Sequence, residues 1–303
     1  MLEFEPYQAR HLQRAKQYLA LRPVENCEGQ LPCGYMWGIY YKSQIAFDDI
    51  AVYLIEEYHG TTCAWIPRCR LENMKEAVLR LLSYYETVKK EPMNIFGVDE
   101  EAANELDEDF REQHGLLLEE LQDAADYIYD AEKMRSLSGK KLHKKKNHLN
   151  AFLKNYEGRY EYRRLFPEQR EEILSFFEYW NQLKPREDEE HTLYYEMEGL
   201  KRILSDFALL DVKMGGIYID GRLSAFALGS YNEALQIAYV HMEKAIADIR
   251  GLYPMINREF LVQEYPEAKL VNREDDMGME HLRRAKQSYY PLKMGRKFRL
   301  YQK

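Results

Sequence analysis

An α+β fold in two tandem domains, each a mixed and mostly antiparallel sheet flanked by helices, is what this 303-residue sequence predicts. Three observations carry the expectation. Aromatic and β-branched runs of strand character alternate with amphipathic helical stripes along the whole chain. The order of these elements in the second half follows that of the first, without a repeat at the level of residues. The length, with 46% hydrophobic and 13% aromatic residues, suffices for two cores of ordinary size. The domains are expected at residues 1–130 and 151–303, joined by a basic segment, 131–150.

The first half opens with an amphipathic helix near Ala9 to Leu21. Tyr35 to Tyr41 and Asp49 to Tyr58 have the composition of strands. His59-Gly60 reads as a tight turn into a third strand, Thr61 to Ile66. Leu71, Met74, Val78, Leu81, Leu82, Tyr85 and Val88 fall on one helical stripe. A short strand, Met93 to Val98, leads into an acidic helix carrying Leu106, Phe110, Leu117 and Leu121, and Asp126 to Asp130 is the last strand.

In the second half Arg159 to Leu165 is a strand. Pro167 then stands at a first helical position with Glu168, Glu171 and Glu172 in the opening turn, where proline and acids are both favoured. A second helix uses Leu193, Met197, Leu200, Leu204 and Phe207. Asp220-Gly221 is the strongest hairpin signal in the chain and joins Gly215–Asp220 to Gly221–Tyr231. A strand (Leu235 to Glu243), a helix (Leu252 to Tyr265), a strand (Ala268 to Asn272), a helix (Met279 to Ser288) and a strand near Arg296 to Tyr301 complete it. Strand, two helices, a three-stranded meander, helix, strand, helix, strand is the order of the GNAT (acyl-CoA N-acyltransferase) fold. Both halves approximate it, the first less regularly.

Between the halves lies the basic segment. Five lysines and two histidines occupy the nine positions from Lys140 to His148, in a chain whose formal net charge is −8. Ser138 is expected to cap a helix whose apolar stripe is Leu142, Leu149, Phe152, Leu153 and Tyr156. Lys140, Lys141, Lys144, Asn147 and His148 lie opposite, and with Lys145 they make an anion-binding face or a solvated one. The overall negative charge excludes a general nucleic-acid coat, which rests on phosphate neutralisation, but not a local basic site.

Other classes are set aside on simple grounds. No apolar run approaches the roughly 20 residues that cross a bilayer. The N-terminus has neither a basic region nor an apolar stretch of signal-peptide type, so a soluble cytoplasmic protein is expected. Cys27, Cys33, Cys63 and Cys69 form two C-x5-C pairs, wider than structural zinc knuckles, and read as buried free thiols with no metal. No Gly-x-Ser-x-Gly elbow, Walker loop or HExxH is present, so covalent catalysis has no nucleophile in view.

Chemistry concentrates at three places. Alternation along Leu235–Lys244 puts Tyr239, His241 and Glu243 on one face and Val240, Met242 and Lys244 on the other. Ionisable groups at the end of a central strand are costly unless exposed, paired or used, and such ends line crevices in α/β sheets. The following turn, Asp248–Asn257, holds a glycine and a helix start, with Arg250, Tyr253 and Asn257 beside them. Asn272, Arg273, Glu274, Asp275 and Asp276 form a charged run longer than a helix cap requires.

Ser138–Phe152, Tyr239–Phe260 and Val271–Pro291 together resemble the C-terminal catalytic domain of bacterial phosphatidylglycerol lysyltransferases, especially its stand-alone soluble members. The resemblance implies two tandem GNAT-like domains and a kinship with Fem-type aminoacyltransferases. It implies an acyltransferase taking its group from charged tRNA, with no tightly bound cofactor and an amine, hydroxyl, peptide or lipid-headgroup acceptor. This chain lacks the multi-helix membrane portion of the membrane relatives, so a lipid would be met at the membrane surface. The GNAT loop Q/R-x-x-G-x-G/A, which cradles the pyrophosphate of coenzyme A, is reduced here to Arg250 and Gly251. An acyl-CoA donor, or a non-catalytic module binding RNA or a nucleotide, are the alternatives. In the aminoacyl-tRNA reading Lys140, Lys141, Lys144, Lys145, Asn147 and His148 meet phosphates, and His241 or Glu243 handles the acceptor's proton. Glu274, Asp275 or Asp276 holds the ammonium, Arg250 meets phosphate or carboxylate, and Asn257 orients the acyl carbonyl, with Tyr253 and Asn272 lining the substrate. Glu243, Arg250, Asn257 and Asp276 are expected around one pocket.

Overall fold

The computed structural model describes residues 1–58, 60–183 and 190–302. It forms two compact units, Met1–Ala125 with Gly295–Lys303, and Asp126–Met294.

The first unit contains β1 (Glu5–Pro6), α1 (Leu12–Leu19), α2 (Leu31–Trp37), β2 (Gln44–Phe47), β3 (Ala51–Tyr58), β4 (Thr61–Trp65), β5 (Arg68–Cys69) and α3 (Met74–Tyr84). β6 (Asn94–Val98), α4 (Glu100–Glu105), α5 (Glu108–Gln113) and β7 (Leu116–Glu120) follow. Asp99 and Asp107 cap α4 and α5 by accepting from the amides of Ala102 and Phe110. β2, β3 and β4 are antiparallel neighbours, and β6 returns parallel to β4 after α3. Tyr53, Ile55, Val78, Leu81 and Ile95 are central to its core.

Two expectations change here. Tyr35 to Tyr41 is not a strand: its first part lies in α2, which has Pro32 in its opening turn. Leu117 is not helical, because Gly115 adopts a positive φ of 64° after α5 and the chain leaves as β7. The turn at His59-Gly60 cannot be placed in full, since His59 lies outside the described residues.

The second unit contains β8 (Asp126–Asp130), α6 (Ala131–Ser136), α7 (His143–Asn155), β9 (Tyr160–Leu165), α8 (Arg170–Gln182), α9 (Glu190–Ser205) and β10 (Val212–Ile219). β11 (Arg222–Asn232), β12 (Ile237–Ala245), α10 (Leu252–Glu264), β13 (Leu270–Asn272), α11 (Glu280–Gln287) and β14 (Lys293–Gly295) complete it. β10, β11 and β12 form the antiparallel meander, and the turn between the first two is Asp220-Gly221, both at positive φ as an Asp-Gly hairpin requires. β13 runs parallel to β12 after α10. The expected stripe of α7 faces inward: Leu142, Leu149 and Phe152 are buried with Leu252, Met255, Ile256 and Phe260 of the α10 segment, and Leu153 and Tyr156 are partly buried against them. Ser138 does not cap it. Gly139, at φ 92°, precedes the first turn, and the Ser138 hydroxyl meets that of Ser136.

Each unit thus follows the GNAT-like path of meander, helix and parallel strand. The last strand, β15 (Phe298–Gln302), pairs with β6 and β7, so the first sheet reads β1-β2-β3-β4-β6-β15-β7. The second reads β9-β10-β11-β12-β13-β8-β14. The place beside the parallel strand is therefore filled by β15 in the first sheet and by β8 in the second. Asp126–Asp130 was expected to close the first domain and Arg296–Tyr301 the second; the pairing is the reverse. The basic segment belongs to the second unit.

Candidate functional site

The site is built where β12 outruns its parallel neighbour. β12 pairs with β13 only through Ile237–Leu270, Ala238–Val271 and Tyr239–Asn272, whereas it continues along β11 to Ala245. Against β11, Val240 stands opposite Gly229 and Met242 opposite Leu228. His241 is the extra residue of a β-bulge, and a bulge shifts the alternation of everything beyond it. Glu243 therefore pairs with Ala227 and joins Ala238, Val240 and Ala245 on the face packed by α7 and α10. His241 and Glu243, expected side by side on one face, serve different surroundings.

On the α10 face Glu243 accepts from Arg273 Nη2 at 3.1 Å through one carboxylate oxygen and from Asn257 Nδ2 at 2.9 Å through the other. Its side chain is 8% exposed and that of Arg273 13%. Asn257 is 2% exposed, and its Oδ1 has no hydrogen-bond partner among the described residues. An unsatisfied buried acceptor costs about 1–3 kcal/mol, so a ligand offering an N–H or O–H would restore that loss. Tyr289 is the shared wall: Arg273 lies over its ring at 5.3 Å and Lys145 of α7 at 4.2 Å. Burial, with the charges of Arg273 and Lys144 added, pushes the Lys145 ammonium down to about 8. Tyr253, in the first turn of α10, has its phenol raised by burial.

The other environment holds His241. Its side chain is fully buried, with Nδ1 at 2.8 Å from Glu274 Oε1 and Nε2 at 2.8 Å from Ser230 Oγ. Lys244 pairs with Glu196 of α9 at 2.7 Å and lies 4.2 Å over the Trp180 ring.

The remaining expected residues are dispersed. Arg250 is exposed in the turn before α10, and its charge, after burial, helps lower the His148 imidazole pKa. Gly251 begins α10 at φ 88°, and a Cβ there would stand 2.1 Å from the carbonyl oxygen of His148, so α7 closes over that helix start. Asn272 is wholly buried, donating to Asp126 Oδ2 and accepting from the Glu274 amide. Asp275 accepts from the Met277 amide. Asp276 is fully engaged, by Arg283 of α11 at 2.9 and 3.1 Å, the Tyr127 hydroxyl of β8 at 2.7 Å and the Gly278 amide of its own loop at 3.0 Å. Of the four residues expected around one pocket, the hydrogen bonds join Glu243 to Asn257. Arg273 was read only as part of a charged run, and the inward turn of Lys145 was hidden in a run of lysines.

Lys140 and Lys141, just before α7, and Lys144 in its first turn are exposed, and Asn147 Nδ2 lies 3.3 Å from His143 Nδ1. No disulfide joins the four cysteines; burial pushes the Cys63 thiol up to about 12 and that of Cys69 to about 11. No described helix is long and apolar enough to cross a membrane.

Among solved structures, a conserved protein of unknown function from Bacteroides thetaiotaomicron is 27% identical, with a TM-score of 0.88 over 100% of both chains. The C-terminal domain of a putative lysylphosphatidylglycerol synthetase from Agrobacterium fabrum superposes with a TM-score of 0.67 at 14% identity, covering 97% of this chain and 92% of that one. At that identity the likeness is one of fold. Among curated proteins, an uncharacterized protein of Mycoplasmoides gallisepticum is 27% identical over 174 residues, 55% of this chain and 53% of that protein. The match thus spans about half the length of that relative. The sequence model described as phosphatidylglycerol lysyltransferase, C-terminal, matches residues 21–301, through both units and all the residues considered above. The chain belongs to the phosphatidylglycerol lysyltransferase C-terminal family.

Proposed function

We propose that this protein is an acyltransferase that moves an aminoacyl group from charged tRNA to an amine or hydroxyl acceptor. The observation that carries the reading is the group at the open end of β12: Glu243 held by Arg273 and Asn257, with Asn257 Oδ1 buried and unpartnered among the described residues. An aminoacyl ester is already activated. Its transfer needs positioning, removal of the acceptor's proton and stabilisation of the oxyanion, and no protein nucleophile. Asn257 Oδ1 and the Glu243 carboxylate are acceptors suited to the ammonium of the aminoacyl group. Arg273 and Lys145 bring positive charge to the oxyanion. With its ammonium near 8, Lys145 also has a neutral fraction that can take the acceptor's proton. Lys140, Lys141 and Lys144 suit tRNA phosphates.

The closed helix start at Gly251 weighs against acyl-CoA, whose pyrophosphate would seek such amides. Pro254, which has no N–H, removes another donor from that turn. The fully engaged Asp276 is left as a loop-holding residue in this reading. A lipid headgroup or a peptide amine are the acceptors that the family description and its Fem-type kinship suggest.

The test is transfer of a labelled aminoacyl group from a charged tRNA pool to amine, peptide and lipid acceptors. Glu243→Gln should lower turnover tenfold or more, equivalent to about 1.4 kcal/mol, and the wild-type rate should rise with pH through about 8. A coenzyme A ester in mass spectra of the purified protein, with no transfer from any charged tRNA, would overturn it.

A further inference from the structure

A cavity of about 340 Å³ lies in the second unit, between the start of α7 and the segment after α11. Its volume is in the range of small-ligand pockets. Its charged lining is mainly cationic. Lys133, Lys140 and Lys141 line it, all exposed and none in an ion pair among the described residues. The one carboxylate in the lining, Asp130, is turned to its own helix, where it accepts from the Lys133 amide at 2.9 Å. Apart from Ser138 and Gly139 the rest is aromatic and apolar, with Tyr129, Tyr289 and Leu142 buried and Tyr290 half-exposed. Lys141 Nζ lies 5.3 Å from the centre of the Tyr290 ring.

The backbone around the mouth is held in an uncommon form. Leu137, Gly139 and Tyr290 have φ of 48°, 92° and 56°. For a leucine and a tyrosine that conformation is costly, and such residues gather where a surface must present a particular side chain. Tyr290 thereby offers about half of its surface to solvent at the rim.

Unpaired lysines beside an exposed ring and an apolar floor match one ligand chemistry: an aromatic base joined to phosphate. An inorganic anion would leave the aromatic walls unused, and an apolar ligand would leave the lysines unused. We propose that this cavity is a nucleotide-binding site, with a base stacked on Tyr290 and its phosphate at Lys133, Lys140 and Lys141. Only the source of the nucleotide rests on the donor reading above. An unstacked residue of an RNA and a free or coenzyme-type nucleotide present the same groups.

Calorimetric titration of the full chain with adenosine, inorganic phosphate, adenosine monophosphate, adenosine 3′,5′-bisphosphate and a single-stranded oligoribonucleotide tests the assignment. Adenosine monophosphate should bind saturably and at least tenfold tighter than adenosine or phosphate alone. Tyr290→Ala and the pair Lys140→Ala, Lys141→Ala should each weaken it tenfold or more, while Tyr290→Trp retains it. These are surface positions, so circular dichroism should show the fold intact. Tighter binding of the oligoribonucleotide identifies RNA as the source, and tighter binding of the bisphosphate a coenzyme-type nucleotide. No saturable binding by any probe, or affinity unmoved by Tyr290→Ala and by the lysine pair, overturns the site. Nucleotide binding in a protein inert to charged tRNA would support the site and refute the donor reading. Aminoacyl transfer by a wild-type protein that binds none of these probes would do the opposite.

Discussion

Glu56 and Glu243 are both buried glutamates on strands, one in each of two sheets that follow the same path, and they are treated in opposite ways. Glu56, on β3, is 5% exposed and receives a hydrogen bond from the Ser43 hydroxyl at 2.6 Å. Burial pushes its carboxyl up to about 7, only partly countered by Ser43 and Trp65. Glu243, on β12, meets a guanidinium and a carboxamide, one on each oxygen. The first arrangement suits a protonated acid that fills a core. The second binds a carboxylate between donors, beside an amide oxygen with nothing to bind. Burial alone does not decide how a carboxylate is held; the partners do.

The largest effect should come from breaking the second arrangement. Arg273→Ala leaves Glu243 buried with the amide of Asn257 as its remaining donor. Removing one partner of a buried pair costs about 3–5 kcal/mol, because the other charge stays uncompensated. Urea unfolding should show a loss of that order, partly recovered in Arg273→Ala with Glu243→Gln. A loss below about 1 kcal/mol would mean that Glu243 is already well solvated and no special site.

Glu56 gives a smaller effect with a definite sign. Its folded-state pKa, about 7, lies above the ordinary 4.5, so between those values the folded protein binds more protons than the unfolded chain. The stability it contributes is fully present below pH 4.5 and is lost as pH rises to about 7, a change of about 3 kcal/mol at most. Glu56→Gln should flatten the stability profile of this protein across that window. A profile identical to wild type would show that Glu56 finds compensation at neutral pH, and the contrast with Glu243 would fail.

How far each environment was legible depended on how local its causes are. The hairpin at Asp220-Gly221 and the buried stripe of α7 follow from neighbouring residues, and both read directly. The ionisable cluster at the end of β12 was visible as residue types, yet its division between two faces was not. That division turns on the bulge at His241, which exists only against the register of β11. Arg273 gave no distinct signal within its charged run, since its partner Glu243 is thirty residues away. The exchange of β8 and β15 between the sheets was beyond reach for the same reason, because strand pairing at long range leaves no periodicity in either strand. Tyr35 to Tyr41 misled through composition: its aromatic residues pack equally well from a helix, with Tyr35 and Met36 buried.

The smallest effect sharpens the same lesson on two adjacent lysines. Lys145 turns inward over Tyr289, and its ammonium is pushed down to about 8, while Lys144 remains exposed and makes no ion pair among the described residues. Lys144→Ala should leave thermal stability within about 0.5 kcal/mol of wild type, as surface substitutions usually do. It removes at most one phosphate contact, so the slope of log affinity for tRNA against log salt should flatten by about one, with little change in selectivity among tRNAs. It also removes a neighbouring positive charge that contributes to the lowered pKa of Lys145, so the pH at which transfer rises should move up slightly. Filter binding at several salt concentrations and a pH–rate profile measure the two consequences separately. A slope that does not change would place Lys144 outside the contact with RNA. A pH profile that does not move would mean that the titrating group in transfer is some residue other than Lys145.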